Sequence, residues 1–313
     1  MNYPNTTSPD TGDVHQRDTV PARSYWLELL GAEVRYLQGR YRTRVIEAGA
    51  GHPLLLLHGT GGHAENYIRN IMPLARHFHV YAIDFLWHGK SQSTGFSAEV
   101  VPPLVDQVKD VLDVLGLERA HIEGQSLGGW IAMRFALEHP DRLDRLVLTT
   151  PMGYVPDSGS VPGYTEPDMS LLRASSMEVL RNPTTANIHA RLARILADPS
   201  ILTDEAVAVR QALYSDPEIN AVQQQLIPNY LGGEAIKKYF VTDELAAGVA
   251  APTLVYWGDK NISPPAVGER LAQSIPDSKF ICAPATGHWA QYESAELHNT
   301  EVTRFLRDGL ETI

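Results

Sequence analysis

Four short stretches carry residues whose types and spacing could do chemistry. The first is "GQSLG", residues 124 to 128, which places Ser126 between small neighbours. An apolar, strand-like "AHIEG" runs into it and a helix-like "LGGWIAMRFALE" runs out. A serine on so tight a strand-to-helix turn is held out at a helix N-terminus, where it can act as a nucleophile. There the Leu127 N–H and the helix dipole favour developing negative charge. The second stretch, "HGTGG" at 58 to 62, follows a buried apolar run and can bring a second backbone donor, from Thr60 or Gly61. The third is "GHW" at 287 to 289, which puts His288 on a loop as a general base for Ser126.

The fourth stretch, "WGDKNISPP" at 257 to 265, stands between serine and histidine, where a carboxylate should support the base. Its expected acid slot holds Asn261, and an acid, Asp259, comes two residues earlier. An asparagine carbonyl can accept the imidazole Nδ1–H and fix the tautomer, but offers no charge to an imidazolium. Asp259 could instead reach His288 through a rerouted loop, or simply face solvent. Asn261 is the preferred occupant of the slot, with Asp259 as the alternative.

These residues need a frame to bring them together. "EVRYLQG" and "YRTRVIEAG" alternate like two strands of a hairpin, with Gly39 near the turn. "PLLLLHG", "HVYAIDF", "AHIEG", "DRLVLTT", "PTLVYWG" and "KFICAP" are short apolar runs of the kind buried on both faces of a parallel sheet. "VPPLVDQVKDVLDVLGLE", "LGGWIAMRFALEHP" and "ELHNTEVTRFLRDGL" have helical spacing. This alternation predicts an α/β fold with a doubly wound, mostly parallel sheet. From residue 151 to 250 the alternation stops, and "SSMEVLRN", "TTANIHARLARILAD" and "TDEAVAVRQALYS" read as helices. Residues 25–150 and 251–313 therefore form the core, and 151–250 a helical lid over the carboxyl ends of the strands. Residues 1–24, polar and rich in Pro, Thr and Asp, read as a disordered leader.

Composition narrows the partners. A net charge of −11 over 313 residues disfavours nucleic acid or an anionic membrane. No apolar run approaches the roughly 20 residues that span a bilayer. The single cysteine, Cys282, excludes an internal disulfide and fits a cytoplasmic protein. No Cys/His spacing suggests a metal, and the chemistry above needs no cofactor. The oligomeric state stays open, a homodimer included.

Taken together these motifs resemble the α/β-hydrolase family, from about residue 25 to the C-terminus. More narrowly, the chain resembles the hydrolases that cleave carbon–carbon bonds in ring-opened meta-cleavage products of aromatic catabolism. "HGTGGHAENYIRN", "FALEHPDRLDRLVLTTPMG", "LTDEAVAVRQAL" and "GHWAQYESAELHN" carry that likeness. It implies a small-molecule substrate, a dienoate bearing a carboxylate. It also implies that Arg210, in "TDEAVAVR", pairs with that carboxylate, although the residues alone favour a solvated arginine on a lid helix. By the same likeness Asn66 and Gln125 hydrogen-bond the dienoate oxygens and Trp289 packs against its chain, each with a scaffold role as the alternative. Two departures stand out: the Asn261 slot, and Trp87 in "DFLWHGKS" where the family usually has a glycine. Rival readings are a carboxylesterase on the same scaffold and a ligand-binding member with a decayed triad.

Overall fold

A computed structural model describes residues 24–157 and 166–310, with Glu166 and Pro167 described by their backbone alone. Residues 1–23 of the expected leader lie outside the described residues. Ser24, its last residue, caps the short helix Tyr25–Glu28, and its hydroxyl meets Glu205 at 3.4 Å.

Eight strands form one sheet: β1 (Glu33–Gln38), β2 (Arg42–Gly49), β3 (Pro53–Leu57), β4 (His79–Ile83), β5 (Ala120–Gln125), β6 (Leu143–Thr149), β7 (Thr253–Gly258) and β8 (Ser278–Ala283). Their order is β1-β2-β4-β3-β5-β6-β7-β8. The β1–β2 hairpin adds antiparallel to β4, and all the remaining pairs are parallel. Winding runs from β3 outward to β4, then returns to β5 on the other side. The loops after β3 and β5 therefore leave a crevice at the carboxyl ends of the strands, where such sheets bind ligands.

The continuous apolar run in β3 follows from burial on both faces. Leu55 and Leu57 pack with the helices Val101–Val114 and Leu127–Glu138, while Leu54 and Leu56 face Ile71, Leu74, Val302 and Phe305. Successive side chains of a strand point to opposite faces, so neither face of this one can be polar.

Between β6 and β7 the described residues hold helices and one isolated bridge, Tyr154 to Val241, but no strand. The helices Thr185–Ala193, Asp204–Tyr214 and Pro217–Tyr230 are each capped by the side chain before them. Thr184, Thr203 and Asp216 accept from the N–H groups of Asn187, Ala206 and Glu218 at 3.2, 3.2 and 3.0 Å. Such caps satisfy N–H groups that the helix itself leaves open.

Trp87 sits at φ +65°, a left-handed conformation that glycine adopts without strain. Its indole is buried and lies edge-on to Phe96 at 5.5 Å. Its carbonyl accepts from Gln223 Nε2 at 2.5 Å, tying the helix Pro217–Tyr230 to the core. The tryptophan thus fills core space beneath the inserted helices and takes no part in lining the cavity described below.

Candidate active site

Ser126 leaves β5 at φ +55° and ψ −113°, and Leu127 begins the helix behind it. This strained geometry needs its glycines. A Cβ at Gly124 would run into the Gly128 carbonyl, and one at Gly128 into the Leu57 carbonyl of the neighbouring strand. The Ser126 carbonyl receives Trp130 N–H at 3.1 Å and Met152 N–H at 2.9 Å, so the turn is held from two directions. Non-glycine residues at such angles persist where the surroundings over-determine them.

His288 Nε2 lies 3.0 Å from Ser126 Oγ, and His288 Nδ1 lies 2.7 Å from Asn261 Oδ1. The same Asn261 oxygen accepts Ile262 N–H at 2.8 Å, while Asn261 Nδ2 donates to Ser263 Oγ at 3.2 Å. A backbone donor on Oδ1 and an acceptor for Nδ2 fix which way the amide points. Nδ1 of His288 is therefore the protonated nitrogen, and the lone pair of Nε2 faces the serine. Asp259, the alternative partner, is turned elsewhere. Its Oδ1 accepts Thr286 N–H at 3.0 Å and its Oδ2 stands 3.4 Å from Lys260 Nζ. The loop is not rerouted, because Asp259 is engaged in closing the turn that carries Thr286.

With no carboxylate beside it, burial and then the Arg191 charge lower the His288 pKa to about 4. The imidazole is thus neutral over the physiological range. Its backbone is pinned as well: Thr150 Oγ1 donates to the His288 carbonyl at 2.8 Å and Gln125 Nε2 at 3.1 Å. Gln125 lines the cavity, but its amide nitrogen is committed to positioning the histidine loop.

Thr60 and Gly61, from the loop after β3, line the same cavity as Ser126. Gly61 adopts φ +63°, and Thr60 Oγ1 is buried with no partner. Leu127, buried, heads the helix, where a first-turn N–H has no helical acceptor.

Arg210 is only 6% exposed, so it is not a solvated lid residue. Its Nη1 donates to the Gly61 carbonyl at 2.5 Å and its Nη2 to Asn66 Oδ1 at 2.9 Å. Its Nε is buried with no partner, and among the described residues no carboxylate pairs with it. Tyr214 Oη joins the group by donating to the Gly61 carbonyl at 3.0 Å. Trp289 Nε1 donates to the Asn66 carbonyl at 2.9 Å, and its ring stacks on Tyr292 at 4.2 Å. Asn66 and Trp289 thus combine a scaffold role with a place in the cavity lining. Ser126, His288, Arg210, Asn66, Gln125 and Trp289 surround one enclosed space of about 60 Å³. Arg191, Ser176 and Tyr214 line it too and were not anticipated from the sequence. The apolar spacing around Arg191 could have flagged it.

The comparisons with known proteins bear on this arrangement. A family model described as the alpha/beta hydrolase fold matches residues 52–295. The chain belongs to the α/β-hydrolase family. This hydrolase is 31% identical to the 2-hydroxy-6-oxononadienedioate/2-hydroxy-6-oxononatrienedioate hydrolase of Comamonas testosteroni, over 86% of this chain and 92% of the relative. It is 30% identical to the 2-hydroxy-6-oxo-6-phenylhexa-2,4-dienoate hydrolase of Burkholderia cepacia, over the same shares. Among solved structures, the 2-hydroxy-6-oxo-6-phenylhexa-2,4-dienoate hydrolase of Rhodococcus sp. strain RHA1 superimposes with a TM-score of 0.77 at 22% identity. That likeness covers 88% of this chain and 99% of the other, and it concerns the fold. Among the described residues no helix is long and apolar enough to cross a membrane.

Proposed function

We propose that this hydrolase cleaves a carbon–carbon bond in ring-opened, meta-cleavage dienoates, with Ser126, His288 and Asn261 as its catalytic group. The observation that carries the reading is Arg210: a buried cation with no carboxylate partner among the described residues, in the same cavity as the Ser126–His288 pair. An ester hydrolase needs the serine and its oxyanion donors but has no use for such a charge. A carboxylate-bearing substrate supplies its counter-ion, and a guanidinium fork suits that anion. The names of the relatives point to the same substrate class.

In such a substrate a carboxylate adjoins an enol, and a ketone lies across the scissile bond. With Arg210 and Asn66 holding the carboxylate end, the ketone reaches Ser126. Neutral His288 takes the enol proton on Nε2 and returns it to the chain carbon next to the ketone. The carboxylate end becomes an α-keto acid, ready to accept the bonding electrons. Ser126 or a water activated there then adds to the ketone carbon. Its oxyanion is met by the N–H of Leu127 and that of Thr60 or Gly61. As the carbon–carbon bond breaks, its electrons flow into the keto-acid fragment. Net addition of water releases a carboxylic acid and a hydroxydienoate.

Asn261 fits this order of events. It orients His288 without making it a strong base, and an easily deprotonated imidazolium hands its proton back readily. The test compares turnover of a ring-opened catechol product, followed by loss of its visible absorbance, with that of a simple aryl ester. The reading requires the dienoate to be much the better substrate; a reversed preference would sink it.

A further inference from the structure

The helix Thr185–Ala193 turns Ile188, Arg191 and Leu192 toward the cavity, and Ile195 just beyond its end continues the same face. Spacings of three, four and seven residues define a single helical stripe, normally apolar throughout. In this stripe Arg191 occupies an apolar position, whereas Arg194, just past the end of the helix, is exposed. A lysine or arginine in the last turn of a helix is favoured by the dipole, but that benefit is available on the solvent side as well. Arg191 Nε donates to the neutral Ser176 hydroxyl at 3.1 Å, and among the described residues no carboxylate pairs with it. Burial, and the like charges of Arg210 and Arg194, push its guanidinium below the usual range. Among the described residues the cavity lining therefore holds two cations and no anion.

The two cations come from different inserted helices and have different anchors. Arg210 is fastened to Gly61 and Asn66, and its charge acts on His58, His63 and His88. Arg191 is fastened to Ser176 on another inserted helix, and its charge acts on His288. Each guanidinium is thus held in place by its own neutral partners, and among the described residues neither has an anion. We propose that Arg191 forms a second carboxylate subsite, so that the substrate is a dianion. One carboxylate lies at Arg210, the scissile ketone at Ser126, and a second carboxylate at Arg191, at the end of a short arm beyond the ketone. This rests on the dienoate reading of the site and sharpens it from a monoacid to a diacid. The Comamonas testosteroni relative is named for a dioate of this kind, and the Burkholderia cepacia relative for a phenyl ketone.

The experiment measures kcat/KM for a ring-opened dioate with a propanoate arm and for the matching methyl or phenyl ketone monoacid. Wild type favours the dioate. Arg191→Gln lowers kcat/KM on the dioate roughly 30-fold or more beyond what it costs the monoacid through His288, and does so mainly through KM. Arg191→Lys recovers part of the loss. Equal losses on both substrates, or a wild-type preference for the monoacid, overturn the proposal. A second arm needs no turnover: azelate, a saturated straight-chain diacid, and nonanoate, its monoacid counterpart, are tested for raising the melting temperature. Azelate protects wild type more than nonanoate does, and Arg191→Gln abolishes the difference. If wild type turns over no dienoate, the proposed function fails, and the azelate arm still decides the subsite. Azelate protection retained in Arg191→Gln overturns it.

Discussion

The Asn261 carbonyl oxygen receives two donors, Ile262 N–H and His288 Nδ1–H, and carries no charge to either. Asn261→Asp should therefore raise the His288 pKa from about 4 toward its ordinary value, since a nearby anion favours the imidazolium. In a pH profile of kcat/KM, activity that needs neutral His288 holds in wild type down to about pH 4, and the variant loses it earlier as pH falls. Aryl-ester turnover should rise in the same variant; an unmoved acid limb would remove His288 from the base role. Asp259→Asn should change turnover by less than about tenfold, because its partners are Thr286 and Lys260 rather than the histidine. Ser126→Ala should cost several orders of magnitude in kcat with the fold intact. Near-normal turnover by that folded variant would exclude Ser126 as the nucleophile.

Among elements, the inserted helices do more than cover the crevice. Arg210, from the helix Asp204–Tyr214, grips the carbonyl of Gly61 in the loop expected to supply an oxyanion donor. Losing it should disturb that loop as well as the carboxylate site. Arg210→Ala is accordingly expected to cost about 2–4 kcal/mol of transition-state binding on acidic dienoates. Neutral aryl esters should lose at least tenfold less, and equal losses would make Arg210 purely a loop anchor. The enclosed space of about 60 Å³ is far below the roughly 300 Å³ at which ligand pockets begin. Side chains on these helices must move outward to admit a dienoate. A disulfide or cross-link holding the insertion to the core should block turnover of dienoates and leave the melting temperature unchanged or raised; full activity in the cross-linked protein would show that no such movement is needed.

Across the whole molecule, buried neutral histidines link stability to pH. Burial holds His88 and His288 near pKa 4 and His121 near 3, and it also lowers His58 and His63. In the unfolded chain each returns to an ordinary value near 6.5. Between those values the unfolded state binds more protons, so stability falls as pH drops from about 6.5 toward 4. A group moved this far contributes about 3 kcal/mol over that window, a large share of a typical folding stability. Urea midpoints measured from pH 7 to pH 4.5 should decline throughout. A flat profile would mean that these histidines take up protons in the folded protein.

Much of this was legible in the sequence because the physics is local. The buried strands announce themselves through runs such as "PLLLL", since a strand covered on both faces can hold no polar residue. The Ser126 turn is legible because glycines alone clear the carbonyls of Gly128 and Leu57. The same locality made the inserted helices readable from their period and their Thr and Asp caps. Pairings across long sequence separation were not readable. Whether Asn261 or Asp259 meets His288 depends on how a short loop after β7 turns, and Asp259 is consumed by Thr286 in making that turn. Gln125 and Trp289 were legible as neighbours of the site, but their hydrogen bonds to the His288 and Asn66 carbonyls depend on loops far apart in the chain. Arg191 passed as one more charge on a polar helix. Its place in an apolar stripe hints at burial, but only the packing of that helix against the core puts the arginine in the lining of the cavity that holds the serine.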